Sequence, residues 1–78
     1  MLNNNIPMAK NRIKVVLVEQ ERTARWLSEK LQKSENTISR WCSNKIQPSL
    51  PQLQEIANVL NVDIRTLIQP ISPKESAK

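Results

Sequence analysis

Glycine is absent from the 78 residues of this chain, and so are histidine, phenylalanine and tyrosine. Without glycine, every helix end that needs a positive φ must use a residue carrying a Cβ, and asparagine is the least costly substitute. Without histidine, and with a single cysteine, the usual zinc ligand sets cannot be assembled and no intramolecular disulfide can form. Catalysis is set aside on the same ground: no Ser or Cys has a base nearby, and Glu19 and Glu21, two apart, diverge on a helix. No apolar run approaches the roughly 20 residues of a membrane-spanning helix, and the opening MLNNNIPMAK lacks the charged-then-apolar order of a signal peptide. These absences imply a small non-enzymatic domain of a reducing cytoplasm, away from membranes, without metal or cofactor. A hydrophobic fraction of 38% in so short a chain suffices for one core, which packing alone must stabilise.

What is present is basic charge, unevenly placed within a net +5. Residues 1–22 set Lys10, Arg12, Lys14 and Arg22 against Glu19 and Glu21, a balance of +2. Residues 23–48 set Arg25, Lys30, Lys33, Arg40 and Lys45 against Glu29 and Glu35, a balance of +3, whereas the last thirty residues are neutral. A merely solvated surface would spread its charge, so the concentration suits a polyanionic partner that meets the first 48 residues.

The chain divides into three parts. Residues 1–10, Asn-rich with Pro7, read as a flexible arm, and residues 70–78, with Pro70 and Pro73 and no apolar period, read as a disordered tail. Between them, residues 11–69 carry a helical pattern. Asn11 is a candidate N-cap for a first helix with Ile13, Val16, Leu17 and Gln20 on one face, ending near Glu21. The run Val15–Val18 also suits a strand, but no second strand follows to pair with it. Thr23 caps a second helix whose Ala24, Leu27, Ser28 and Leu31 share a face. Ser34 starts a third, with Glu35 in its first turn where a negative charge suits the helix dipole. Ser49 and Gln52 form the capping box of a fourth, with Leu53, Ile56, Ala57 and Leu60 as its buried stripe. Asp63 caps a short fifth holding Ile64, Leu67 and Ile68, stopped by Pro70. Asn44 and Asn61 stand just past the third and fourth helices, where a left-handed residue would close the last turn. Five short helices leave nothing for a sheet.

The stretch SENTISRWCSN, residues 34–44, carries the chemistry. At roughly 100° per residue, Ile38, Trp41 and Cys42 fall within a third of the helix circumference, and Asn36, Ser39, Arg40 and Ser43 lie opposite. A helix held by one narrow apolar stripe, preceded by another helix and a tight turn, is the arrangement of a helix-turn-helix, whose second helix enters the major groove of DNA. The outward side chains suit base edges. Arg40 can donate two hydrogen bonds to guanine, Asn36 can pair with adenine, Glu35 can accept from cytosine, and Ser39 and Ser43 are short enough for close backbone approach. Trp26 and Trp41 do not make a row of stacking platforms for single strands: Trp41 lies on the buried stripe, and Trp26, about 100° from Leu27, either covers the seam of the first two helices or stays partly exposed.

From Arg12 to Ile68 the chain resembles the phage-repressor-like, Cro and Xre type, helix-turn-helix regulators. The carrying segments are RIK at 12–14, T-x-x-x-L-x-x-x-L from Thr23 to Leu31, SENTISRW at 34–41, QPSL at 47–50 and LQEIANVLNVDIRTLI at 53–68. The resemblance implies an all-α, compact five-helix domain that binds double-stranded DNA. It implies a transcriptional regulator, commonly a homodimer on an inverted repeat, with the helix of about 34–43 in the major groove. It also implies base contacts by Glu35, Asn36, Ser39 and Arg40, and phosphate contacts near Thr23, Ser43, Asn44, Lys45 and Gln47. No small-molecule ligand domain is evident.

Three residues depart from the family's pattern. Where its members usually carry glutamine directly after the helix-two cap, this chain has Ala24, and that contact is lost. Many members pair an Arg on the first helix with a Glu following the tryptophan; this chain has Leu17 and Cys42. Joint replacement of a buried ion pair by apolar residues costs little, so the change is self-consistent and places Cys42 in the core rather than in redox chemistry. The apolar surplus of the first helix, Val15 and Val18, leaves a second reading open: a protein-interaction module of the same fold that docks a partner there.

Overall fold

A computed structural model of the chain describes residues 10–69. The arm and tail expected at the two ends lie outside those residues, apart from Lys10. Strand β1 (Lys10–Asn11) leads into four α-helices, α1 (Ile13–Glu19), α2 (Ala24–Leu31), α3 (Glu35–Cys42) and α4 (Leu50–Leu60). A 3-10 helix over Ile64–Leu67 and strand β2 (Ile68–Gln69) complete the described chain.

The fifth helix is therefore a single 3-10 turn, and the expectation of no sheet is corrected. The two-residue strands pair antiparallel, Lys10 opposite Gln69 and Asn11 opposite Ile68. Ile68, counted on the fifth helix from its apolar spacing, is extended (φ −116°, ψ 131°). The cause lies next in sequence: Pro70 disfavours helical geometry for Gln69 and offers no N–H to continue a helix. The freed Leu67 carbonyl accepts instead from the Arg12 amide at 2.8 Å.

The remaining elements follow their local signals. Thr23, Ser34 and Ser49 accept, through their side-chain oxygens, from the amides of Trp26, Thr37 and Gln52, and the Ser49–Gln52 capping box closes in both directions. Asp63 caps the 3-10 helix by accepting from the Arg65 amide. At α1 the boundary residue is Arg12, but the capping bond comes from one residue earlier, the Asn11 carboxamide oxygen accepting from the Ile13 amide at 3.0 Å. Gln20, placed on the buried face by spacing, is exposed, and its amide reaches the Leu60 carbonyl at the end of α4.

Each α-helix ends with a residue at positive φ: Glu21 (58°), Gln32 (56°), Asn44 (63°) and Asn61 (59°). The bonds around them repeat one pattern. The residue after each donates to a carbonyl five back, as Lys33 does to Ser28 and Arg22 to Leu17, which is the Schellman closure. Asn44 and Asn61 stand where the missing glycine made them expected; Glu21 and Gln32 do not belong to the residues that tolerate this region. Gln32→Gly and Glu21→Gly should therefore each stabilise the fold by about 1 kcal/mol, and the pair additively, in urea denaturation. Unchanged or lowered midpoints would show that neither residue is strained.

The core joins all the helices. Ile13, Leu27, Ile38, Ile56 and Leu67, one from each helical element, are fully buried. Ser28 on α2 is buried and satisfies its hydroxyl on the Arg25 carbonyl at 2.7 Å.

Candidate nucleic-acid interface

Helices α2 and α3 are joined only by Gln32, Lys33 and Ser34, and the left-handed Gln32 turns the chain sharply between them. Ile38 and Trp41 anchor α3 from behind, with 0% and 3% exposure. The opposite face presents Glu35, Asn36, Ser39 and Arg40, all exposed. Among the described residues, none of these four side chains has a hydrogen-bond or ion-pair partner. Lys45, exposed in the loop after α3, is equally uncommitted. Elsewhere the surface does pair its charges, Arg25 with Glu29 and Arg65 with Asp63. Arg65 hydrogen bonds hold the Asp63 carboxyl down to about 2.

The other residues expected at phosphates divide. Thr23 and Ser43 are exposed, but each hydroxyl already serves its own helix: Thr23 accepts from the Trp26 amide at 3.0 Å, and Ser43 donates to the Arg40 carbonyl at 3.2 Å. Asn44 and Gln47 are half-buried and tied inward. The Asn44 side-chain oxygen accepts from the Asn11 amide at 2.9 Å and from the Gln47 carboxamide at 2.8 Å. The Asn11 side-chain nitrogen donates to the Trp41 carbonyl and to Gln47 Oε1, both at 2.7 Å. One buried carboxamide thus starts α1, grips the end of α3 and fixes the loop that carries Lys45. The sequence reading found only its capping role, because partners separated by 30 to 36 positions leave no local pattern.

The three departures from the family pattern meet in space. Leu17, Ala24 and Cys42 line one groove of about 310 Å³ between α1, the start of α2 and α3, together with Lys14, Val18, Arg22, Ser39 and Ser43. Leu17 is buried, and Cys42 is half-buried against the core. Burial pushes the Cys42 thiol up, opposed by the nearby Lys14 ammonium. Trp26 is half-buried, with the Arg22 guanidinium 4.5 Å and the Lys30 ammonium 5.8 Å from its ring centroid. Its ring is thereby occupied by cations rather than free for bases.

Two stacked short helices with a left-handed turn between them, the second anchored by one apolar stripe and polar outside, define a helix-turn-helix module. Comparison with known proteins agrees: residues 13–67 match the Helix-turn-helix family, and the chain belongs to it, in its Cro/C1-type branch. It is also similar to the crystal structure of a candidate DNA-binding protein from Bacteroides fragilis, at 66% identity and a TM-score of 0.78, covering 80% of this chain and 100% of that one. Among curated proteins, none matches. No helix among the described residues is long and apolar enough to cross a membrane.

Proposed function

We propose that this chain is a sequence-specific regulator of transcription that binds double-stranded DNA by laying the outer face of α3 in the major groove. The observation that carries the reading is the set of four exposed, unpartnered side chains on one face of α3, a helix whose other face is locked by Ile38 and Trp41. Glu35, Asn36, Ser39 and Arg40 meet base edges, while Lys45 and Thr23 hold phosphates, and Ser43 joins them by turning its hydroxyl away from the Arg40 carbonyl. Asn44 and Gln47 act as positioning residues, since their side chains already bond to Asn11 and to each other.

One such helix reads only a few base pairs, so useful affinity requires two copies on an inverted repeat, with half-sites about 34 Å apart. The regulator acts as a homodimer in the cytoplasm, and its own concentration is its control. The competing reading, a docking module, is favoured by the exposure of Val15 (44%) and Val18 (65%) on α1.

Amide chemical shifts followed as duplex is added separate the two readings. Changes should concentrate on Thr23, on Glu35, Asn36, Ser39 and Arg40, and on Ser43 to Lys45. Changes centred instead on Val15 and Val18, with α3 unmoved, would contradict the proposal.

A further inference from the structure

Helix α1 carries an exposed stripe that neither the core nor the reading face of α3 uses. Its buried side chains are Ile13, Val16 and Leu17; Lys14, Val15, Val18 and Glu19 face outward, Val15 at 44% and Val18 at 65% exposure. At roughly 100° and 1.5 Å per residue, these four span about 140° of the helix circumference, with Lys14 and Glu19 at opposite corners and the two valines between them. All four line one groove of about 480 Å³, together with Asn11 of β1 and Gln69 of β2. Both charges border that groove, yet Lys14 and Glu19 are not within ion-pair distance of each other or, among the described residues, of any other charged group.

We infer that this stripe is the contact between two copies of the chain, packed about a two-fold axis with Lys14 of each against Glu19 of the other and the four valines between. The inference rests on the homodimer of the proposed function and names its contact. A two-fold interface sets one surface patch against itself, so the patch has to be self-complementary. This stripe meets that condition: an axis through its middle, at right angles to the line from Lys14 to Glu19, brings each lysine opposite a glutamate and forms both ion pairs at once. A partner of a single charge sign would instead set a like charge against one of the two corners. The other exposed large apolar residues among those described, Ile46 and Leu50, offer no such match, since residues 43–54 hold Lys45 and no acidic side chain. Val15 and Val18, whose exposure favours a docking module, then find their cover in the homodimer itself. A helix of seven residues makes a contact at the small end of specific interfaces, so the free dimer is weak, and two half-sites on one duplex raise the effective concentration of the second copy.

Sedimentation of the unaltered full chain at low salt, over a rising concentration series, should show the mass moving from one chain toward two. Lys14→Glu and Glu19→Lys should each weaken self-association by roughly tenfold or more, because each turns two attractive pairs into two repulsive ones. An equimolar mixture of these two variants should associate again as a mixed dimer, since one then carries acid at both corners and the other base. The double variant, Lys14→Glu with Glu19→Lys, should self-associate as the unaltered chain does. Recovery of this kind cannot come from chains that have lost their fold. Val18→Ser should weaken the dimer, whereas Leu50→Ser, which removes an equally exposed apolar side chain elsewhere, should not. If the unaltered chain dimerises and both charge variants dimerise equally well, or their mixture fails to associate, or Leu50→Ser costs as much as Val18→Ser, the α1 contact is overturned while the homodimer stands. If the unaltered chain stays single throughout the series, the α1 contact is overturned as well, and the homodimer reading falls with it only if the complex with an inverted-repeat duplex also holds one copy.

Discussion

Asn11→Ala should destabilise the protein by about 3 kcal/mol, because removing a partner from buried polar groups costs about 1–3 kcal/mol for each group left unsatisfied. Asn11 is 9% exposed, and its carboxamide accepts from the Ile13 amide and donates to the Trp41 carbonyl and to Gln47. Alanine leaves the Ile13 N–H unpaired in the first turn of α1 and strips Gln47 of a short bond. Asn11→Asp should not rescue the loss. Aspartate can still accept from Ile13, but it sets a carboxylate against two oxygen acceptors. For comparison, Asn36→Ala on the exposed face of α3 should change stability by less than about 0.5 kcal/mol. Urea denaturation followed by tryptophan fluorescence measures both. Equal losses at positions 11 and 36 would mean that the carboxamide cluster is not a structural tie.

That contrast between two asparagines marks what a linear sequence discloses. Local chemistry was readable: Thr23, Ser34, Ser49 and Asp63 cap where short side chains precede an apolar period, and each accepts the expected amide. The buried stripe of α4, Leu53, Ile56, Ala57 and Leu60, follows from helical spacing alone. The outward face of α3 was equally legible, since the same spacing that buries Ile38 and Trp41 exposes Asn36, Ser39 and Arg40.

Features made by remote partners were not legible. Two-residue strands have no period to detect, and β1 and β2 meet only because the ends of the folded domain are brought together. Glu21 and Gln32 occupy the left-handed region because tertiary packing requires a turn there, against their own preference. The inward commitment of Asn44 and Gln47 depends on Asn11 arriving from the far end of the domain, a bond that the family resemblance, which put both residues near phosphates, does not disclose. The groove needs three helices at once, and no single segment announces it.

Arg40 and Lys45 should separate specificity from affinity. Arg40 projects from the exposed face of α3, where a guanidinium can donate two bonds to one guanine; such a contact discriminates against other bases by about 1–3 kcal/mol. Arg40→Ala should therefore lose roughly 5- to 150-fold in affinity on the preferred site and relax the choice at one base pair. Lys45 lies beyond the C-terminal end of α3, in a loop held by the Asn11 cluster, and in the proposed docking its ammonium meets the backbone and not the base edges. Lys45→Ala should weaken preferred and scrambled duplexes by similar factors and lower the salt slope by about one. Asn11→Ala, at temperatures where it stays folded, should resemble Lys45→Ala on DNA, since it frees the loop without touching the reading face.

The measurement that tests the central assignment most directly is the salt-dependent titration of the unaltered chain, Arg40→Ala and Lys45→Ala on two duplexes: one selected from a random pool by the unaltered protein, and one scrambled. The account predicts that Arg40→Ala brings the two duplexes closer in affinity while Lys45→Ala lowers both in parallel. A parallel loss with Arg40→Ala, together with altered base preference in Lys45→Ala, would contradict it and place a different surface in the groove.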